Sequence, residues 1–496
     1  MSTSRIRRTL GLALGIENEE IRPADEVVET PAPAEGDPEA TPAPAEGEGE
    51  VVTEVVEVEP LSNEGTEGEA VLETVEEAQK IDELSDTIET LEEDHIALES
   101  LILDLRKATK DGGLSPQSAV FYKHALRGYA GRFVDTDRRV PSLESFGGAS
   151  GRLRQSQVSL EEAEKTAGGF VDGLVKMIVK AWEWLKNFAI NLWQKVFPTI
   201  QQKAEKVLES AKATKGTAPA DAEVKYPTSL TVEGASVSGF EFANAVKHLA
   251  DKVDVVFLPM AAMSETITAL SNAIGHAITK GGKAEGISEA LSMAVQQHEK
   301  LTANMTPSKD NRAPEGAMFK IAVDKLLGSK EIIASVPTGG GNFDSPEKAL
   351  GVMDFKLIDA VKKPETDLRP IKPLTPAEAK AAMESNIDII KAVNASKGGD
   401  KIKATKGLVD TFTKQCDALV KQVNKTDAAT SDDKAATRKL INGCSTYMNR
   451  VTLQFTGNVA KYLVTTTTAV TQLCGASVKA AGGKAVADEP ADAKAA

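Results

Sequence analysis

The spacing of apolar residues divides this chain into successive regions. From Val71 to Lys110 apolar positions recur mostly every third or fourth residue, at Val75, Ala78, Ile81, Leu84, Ile88, Leu91, Ile96, Leu98, Leu101 and Leu105, with acids between them. That period predicts an amphipathic helix or a short coiled-coil seam, stopped by Asp111, Gly112 and Gly113. Ser115 ahead of Pro116 predicts a fresh helix start, and Tyr122, Leu126, Tyr129 and Phe133 make its apolar stripe.

From Leu160 to Lys212 the pattern predicts one long helical region, interrupted near Gly168-Gly169 and at Pro198. Its centre, FVDGLVKMIVKAWEWLKNFAINLWQKVF, carries Trp182, Trp184 and Trp193, all the tryptophans of the chain. Polar residues Asp172, Lys176, Lys180, Glu183, Asn187, Asn191 and Lys195 form a single narrow stripe, so most of the circumference is apolar. A buried aromatic removes roughly 150–250 Å² from water, worth several kcal/mol at about 25 cal/mol per Å², so this helix must lie against something. Packing on the protein's own body or self-association is favoured over a membrane interface, because Asp172 and Glu183 interrupt the cationic face that anionic lipid prefers.

Beyond Tyr226 the reading is a helix-dominated α+β body. Short strands are predicted at Tyr226–Gly239, Glu331–Val336 and Val352–Ile358. Helices are predicted at Phe240–Val253, Ala261–Ile278, Ser288–Leu301, Pro376–Val393, Ile402–Val423 and Lys434–Leu473, separated by glycine- and lysine-rich joints. The fold class is therefore mainly α with a minor β component.

Composition changes the picture at the ends. Residues 1–70 include PAPAEGDPEATPAPAEGEGE, where proline, glycine and like charges leave too little apolar surface to offset ordering entropy; this region is expected to be a disordered acidic segment. Residues 71–144 then form a helical, propeptide-like segment, 145–159 a linker, 160–212 the Trp-rich helical region, 225–480 the body and 481–496 a disordered tail. Up to Glu144 the chain holds 34 acids and 13 bases, a net charge of −21; from Ser145 on it holds 39 acids and 45 bases, a net of +6, so the overall −15 hides two opposite halves. Arg5, Arg7 and Arg8 precede an apolar patch too short and too glycine-broken for a secretory signal, and no run of about 20 apolar residues suggests a membrane span.

Candidate chemistry is sparse. Cys416, Cys444 and Cys474 are odd in number and lack a CxxC pair, which argues against a disulfide framework or zinc module and for a reduced compartment. His95, His124, His248, His276 and His298 pair with nothing in a metal-ligand pattern, and His276 and His298 read as satisfied surface or core residues. TGGGNFDS, Thr338 to Ser345, lacks the Lys-Ser/Thr of a phosphate loop. No serine elbow or Cys-His signature is present. No catalytic, cofactor-binding or metal-binding residue is expected, nor any cofactor, and enzyme activity is not expected.

At the charge discontinuity stands PSLESFGGASGR. Pro141 disfavours helix before it, and Gly147, Gly148 and Gly151 loosen the chain after it, as suits an accessible protease site. This stretch, with the preceding GGLSPQSAVFYKHALRGYAGRF and the following VSLEEAEK and Trp-rich helix, resembles the internal head (core) proteins of large tailed bacteriophages over about Leu91 to Lys212. The resemblance implies a virion protein cut by the prohead protease after Glu, with a small residue two positions upstream, and so implicates Ser142, Leu143, Glu144 and Ser145. Secondary matches stand at Glu99 and Glu161, with a further one at Ala382-Met383-Glu384. The implied partners are the protease, other capsid or core proteins and packaged DNA by weak non-specific contact. The implied location is inside the capsid, after assembly in the host cytoplasm. A membrane-active protein ejected with the DNA and a non-phage coiled-coil structural protein are the alternative readings.

Overall fold

The computed structural model describes residues 173–310, 312–338, 346–360, 368, 370–396, 398–426 and 429–483, with 55–56, 90, 97–98, 100–108, 110–111, 118 and 125. The chain divides into two compact units, one of Met1–Thr53 with Asp104–Glu162, the other of Glu54–Leu103 with Ala163–Ala496. The described residues of the first unit are helical apart from a turn at Asp111, and Leu105 is fully buried there. In the second unit Leu98, Leu101 and Ile102 are buried, three of them matching or adjoining the predicted seam.

Most of the described residues of the second unit are helical. Helix α1, residues 173–191, runs through a π-turn, Leu192–Val196, into α2, Phe197–Ala213, without a break. Pro198 was expected to interrupt it. Instead the π-turn precedes the proline, with Phe197 N–H bonded back to Leu192 O, and the widened turn absorbs a ring that lacks an N–H donor. The body then adds α3 (Gly239–Val256), a short α4 (Leu258–Ala261), α5 (Met263–Thr279), α6 (Ala284–Leu301), α7 (Pro346–Val352), α8 (Pro376–Ala395), α9 (Gly398–Lys425), α10 (Ser431–Met448) and α11 (Phe455–Ala480).

A second π-turn, Asn449–Gln454, joins α10 to α11, so the helix predicted over Lys434–Leu473 is continuous but longer at both ends. Thr375 and Thr430 start α8 and α10 with full capping boxes, each hydroxyl accepting from the N3 backbone while the N3 carboxylate, Glu378 or Asp433, accepts from the cap N–H. The α3–α5 segment, Gly239–Thr279, is by length and composition apolar enough to cross a membrane, against the sequence reading; 56% of its most apolar window is buried inside the protein, as in a core helix.

Among the described residues the β component is two small sheets. In the first, β1 (Val55–Val56) pairs in parallel with β2 (Glu223–Val224), so two residues inside the stretch expected to be disordered take part in a strand pair. The second is an antiparallel meander of β3 (Thr306–Pro307), β4 (Ala317–Leu326), β5 (Lys330–Pro337) and β6 (Asp354–Asp359), in that order. Strand β4 was not predicted, although Phe319, Ile321 and Val323 alternate with Lys320, Ala322 and Asp324 in a period of two.

The strand predicted over Tyr226–Gly239 is not formed. A 3-10 turn, Thr228–Leu230, and a bridge between Val232 and Ala235 take its place. There Glu233 and Gly234 both have positive φ, 49° and 88°, and the tight turn satisfies the backbone locally. Ser329 fixes this loop by accepting from Gly234 N–H at 2.7 Å and donating to the Thr231 hydroxyl at 3.0 Å.

The core is organised around α8, which packs against α2, α3 and α11, and around the pairings of α5 with α9 and α6. Ala379 and Ala382 on α8 are fully buried and let neighbours approach closely, while Met383, Ile389, Ile390 and Val393 fill the space between helices. Asn386 crosses to α11, donating through Nδ2 to Thr467 O and to Thr471 Oγ1, both at 3.0 Å.

Candidate functional site

Two assemblies of side chains stand out: the aromatic face of α1 and a buried polar cluster beside the larger sheet. On α1, Leu174, Ile178, Ala181, Trp182, Leu185, Phe188 and Ala189 are buried and Lys176, Lys180 and Asn187 are exposed, as the predicted apolar face and polar stripe require, but Asn191, expected on the stripe, is buried where α1 meets the π-turn. Trp182 is 3% exposed. Trp184 is half-buried. Trp193, in the π-turn, is also half-buried, donates its indole N–H to the Val393 carbonyl of α8 at 3.0 Å and meets Phe197 edge-on, centroids 6.0 Å apart.

Gly399 lies beside it, since a Cβ there would be 3.7 Å from both Ala189 O and Trp193 Cβ. The C-terminal end of the face is therefore covered by the same chain's α8 and the start of α9. Glu183 adds an ion pair to Lys406 of α9 at 2.9 Å and another to Lys186 at 3.3 Å. The Lys406 bond, then Lys186, holds the Glu183 carboxyl below the usual carboxylate range against a partial desolvation. Both partners are well exposed, so the pair sets helix register more than it adds stability.

The second assembly is centred on His298, near the C-terminal end of α6 and fully buried. Its Nε2 lies 3.0 Å from Ser335 O of β5, and its Nδ1 3.0 Å from the Tyr447 hydroxyl of α10. A carbonyl can only accept, so Nε2 carries the proton and Nδ1 accepts from Tyr447. Burial pushes the imidazole down to about 4, keeping it neutral near pH 7. The ring also meets Phe355 and Tyr447 edge-on, at 5.2 and 5.5 Å, and Phe355 in turn meets Phe455 at 6.0 Å.

Asp354 of β6 is buried next to this aromatic group, its carboxyl raised by desolvation and partly offset by Lys356, whose Nζ is 3.1 Å from Oδ2. The cluster fixes the larger sheet to α6 and α10. His276, by contrast, is a surface residue bonded to Glu289 at 2.6 Å.

The remaining candidates separate clearly. Ser142, Leu143, Glu144, Ser145, Glu99 and Glu161 lie outside the described residues, as do His95, His124 and most of the TGGGNFDS loop; Leu98, next to Glu99, is fully buried. Glu384, the further match, sits on α8 in a pair with Lys380. Cys416, Cys444 and Cys474 are free and buried, with thiols raised by desolvation, that of Cys444 to about 12. Among the described residues no group of three or more His, Cys, Asp or Glu side chains is placed to hold a metal ion. The His298 cluster escaped the sequence reading because its members, residues 298, 335, 354 and 447, share no local motif.

Compared with known proteins, the chain matches the family model of phiKZ-like phage internal head proteins over residues 54–476. No curated protein and no solved structure matches it.

Proposed function

Since the chain belongs to the phiKZ-like phage internal head proteins, structural proteins located inside the phage capsid, we propose that it is made as an acidic precursor, cut after Glu144 by the prohead protease as the head matures, and kept as a mature body beside the genome. The observation that carries this reading is the charge discontinuity at a small-X-Glu sequence. A −21 segment ends at Glu144 and a +6 body begins at Ser145. The family match, over residues 54–476, includes that point.

The physical logic is electrostatic. Before DNA enters, the acidic segment keeps the protein soluble and offsets its basic body; once DNA is packed at high density, the same segment is repelled by it. Removing it resolves the conflict. The role is structural and non-enzymatic, in keeping with a body whose most perturbed titratable groups are buried in packing contacts. The Trp face supports the same reading, because its C-terminal end packs against the chain's own α8 and α9.

Mass spectrometry of purified DNA-filled particles tests the proposal. Peptides from beyond Ser145 are expected in abundance, with a semi-specific N-terminus at Ser145, and peptides from before Glu144 only in traces. Equal recovery of the two halves would overturn it.

A further inference from the structure

Helix α9 buries Ile402, Val409, Phe412, Cys416, Leu419 and Val423 against its neighbours. These residues lie on one arc of the helix, and the opposite arc carries Lys403, Lys414, Lys421 and Lys425, all exposed. Spacings of eleven, seven and four residues keep the four within a narrow band, and at 1.5 Å per residue they span about 33 Å. The helix holds six lysines against three aspartates.

Of the three carboxylates, Asp410 and Asp417 sit half-buried one turn before Lys414 and Lys421, and Asp400 is exposed one turn before Lys403. Lys406 is the lysine of α9 that pairs with Glu183. None of the four crown lysines has a carboxylate partner among the described residues. The positions between them are small: Gly407, Thr411 and Ala418 are exposed, and a Cβ built on Gly407 would meet no atom within 4 Å. Among the described residues, no bulky side chain stands between these lysines.

Lysines left without partners in a 33 Å row are costly to bring together and gain most from a partner that is itself an extended row of negative charge. Duplex DNA carries one charge per about 1.7 Å of axis and is read through such contacts without sequence preference. We propose that this outer face of α9 is the surface by which the protein contacts the sugar–phosphate backbone of packaged DNA. The proposal rests on the internal-head reading above and adds to it the surface that does the contacting. No aromatic side chain lies on the band to stack on bases, so the contact is electrostatic and sequence-independent.

The test uses the protein recovered from DNA-filled particles, as wild type and as a variant with Lys403, Lys414, Lys421 and Lys425 all changed to Gln. A control variant changes Lys176, Lys180, Lys206 and Lys212, on α1 and α2, to Gln and so removes the same charge. Binding to a random-sequence 40-base-pair duplex is measured from 50 to 200 mM salt. If all four crown lysines neutralise phosphates, they contribute about 3.6 to the logarithmic salt slope, an affinity loss of roughly 100-fold across that range. The crown variant is expected to lose that salt dependence and to bind at least tenfold more weakly at 50 mM, with its thermal unfolding unchanged, while the control stays close to wild type.

Equal losses in the two variants, or none in either, overturn the assignment of the surface. A chain absent from DNA-filled particles would instead overturn the internal-head reading, so the two failures are distinct.

Discussion

At the scale of single residues, His298 shows how burial sets chemistry. Unfolded, its imidazole takes up a proton as the pH falls through 6.5; folded, it resists until about 4. The depressed value means that the stability it confers is complete above 6.5 and is lost as the pH falls through the window between the two, roughly 3 kcal/mol over the whole of it. Asp354, with its carboxyl raised, works in the opposite sense and loses stability as the pH rises above the ordinary carboxylate range. Urea unfolding at pH 7 and pH 4.5 separates them: His298→Gln, which can still bond both Ser335 O and Tyr447, should flatten the acid loss relative to wild type. An unchanged pH slope in the variant would show that the histidine is not held neutral.

Trp193 is the second instructive residue. Its indole N–H bonds a carbonyl that also accepts from Ser396 Oγ at 2.6 Å, so Trp193→Phe leaves no orphaned acceptor and should cost only about 1 kcal/mol. A loss above about 3 kcal/mol in urea unfolding would mean that the ring's packing, not its hydrogen bond, anchors α1 to α8.

At the scale of elements, periodicity was a good guide to helices and a weaker one to strands. The predicted helices at Pro376–Val393 and Ile402–Val423 lie within two to four residues of α8 and α9, because long amphipathic repeats with buried Ala, Met and Ile positions leave little choice of conformation. Strand β4 carried a readable alternation that went unused, whereas Tyr226–Gly239 carried β-branched residues that local turns at Pro227 and Gly234 claimed instead. Two substitutions probe how these elements are held. Trp182→Ala removes a ring only 3% exposed and should cost about 3–5 kcal/mol. Thr430→Ala removes the capping box of α10 and should cost about 1 kcal/mol. A thermal melt in which the cap mattered as much as the tryptophan would contradict the packing described for α1.

At the scale of the whole molecule, charge and packing make separate statements. The proposed cut after Glu144 would change the net charge from −15 to +6, so Glu144→Gln should leave a longer, more acidic chain in heads, visible as a shift in gel mobility, with little effect on folding. Trimming at the same bond in the variant would show that Glu144 does not specify it. Tryptophan emission should already be blue-shifted in buffer, since Trp182 is buried and Trp193 half-buried against the chain's own helices. Emission that shifts only when anionic liposomes are added would return α1 to the membrane interface.

The sequence by itself determined the fold class, the positions of the long helices, the opposite charges on either side of Glu144 and the need for the Trp-rich helix to be covered. Each follows from quantities that are local or additive along a chain: a 3.6-residue period, a sum of charges, an amount of apolar surface. What covers the C-terminal end of that helix was decided only in three dimensions, by α8 and the start of α9 about 200 residues further on, through Val393 O and Gly399. The His298 cluster likewise joins four positions from α6, β5, β6 and α10. The unpaired lysine row on α9 emerged the same way, because which lysines find a carboxylate depends on neighbours far away in sequence. Periodicity records which face of an element must be buried; only the packing of one element on another says against what.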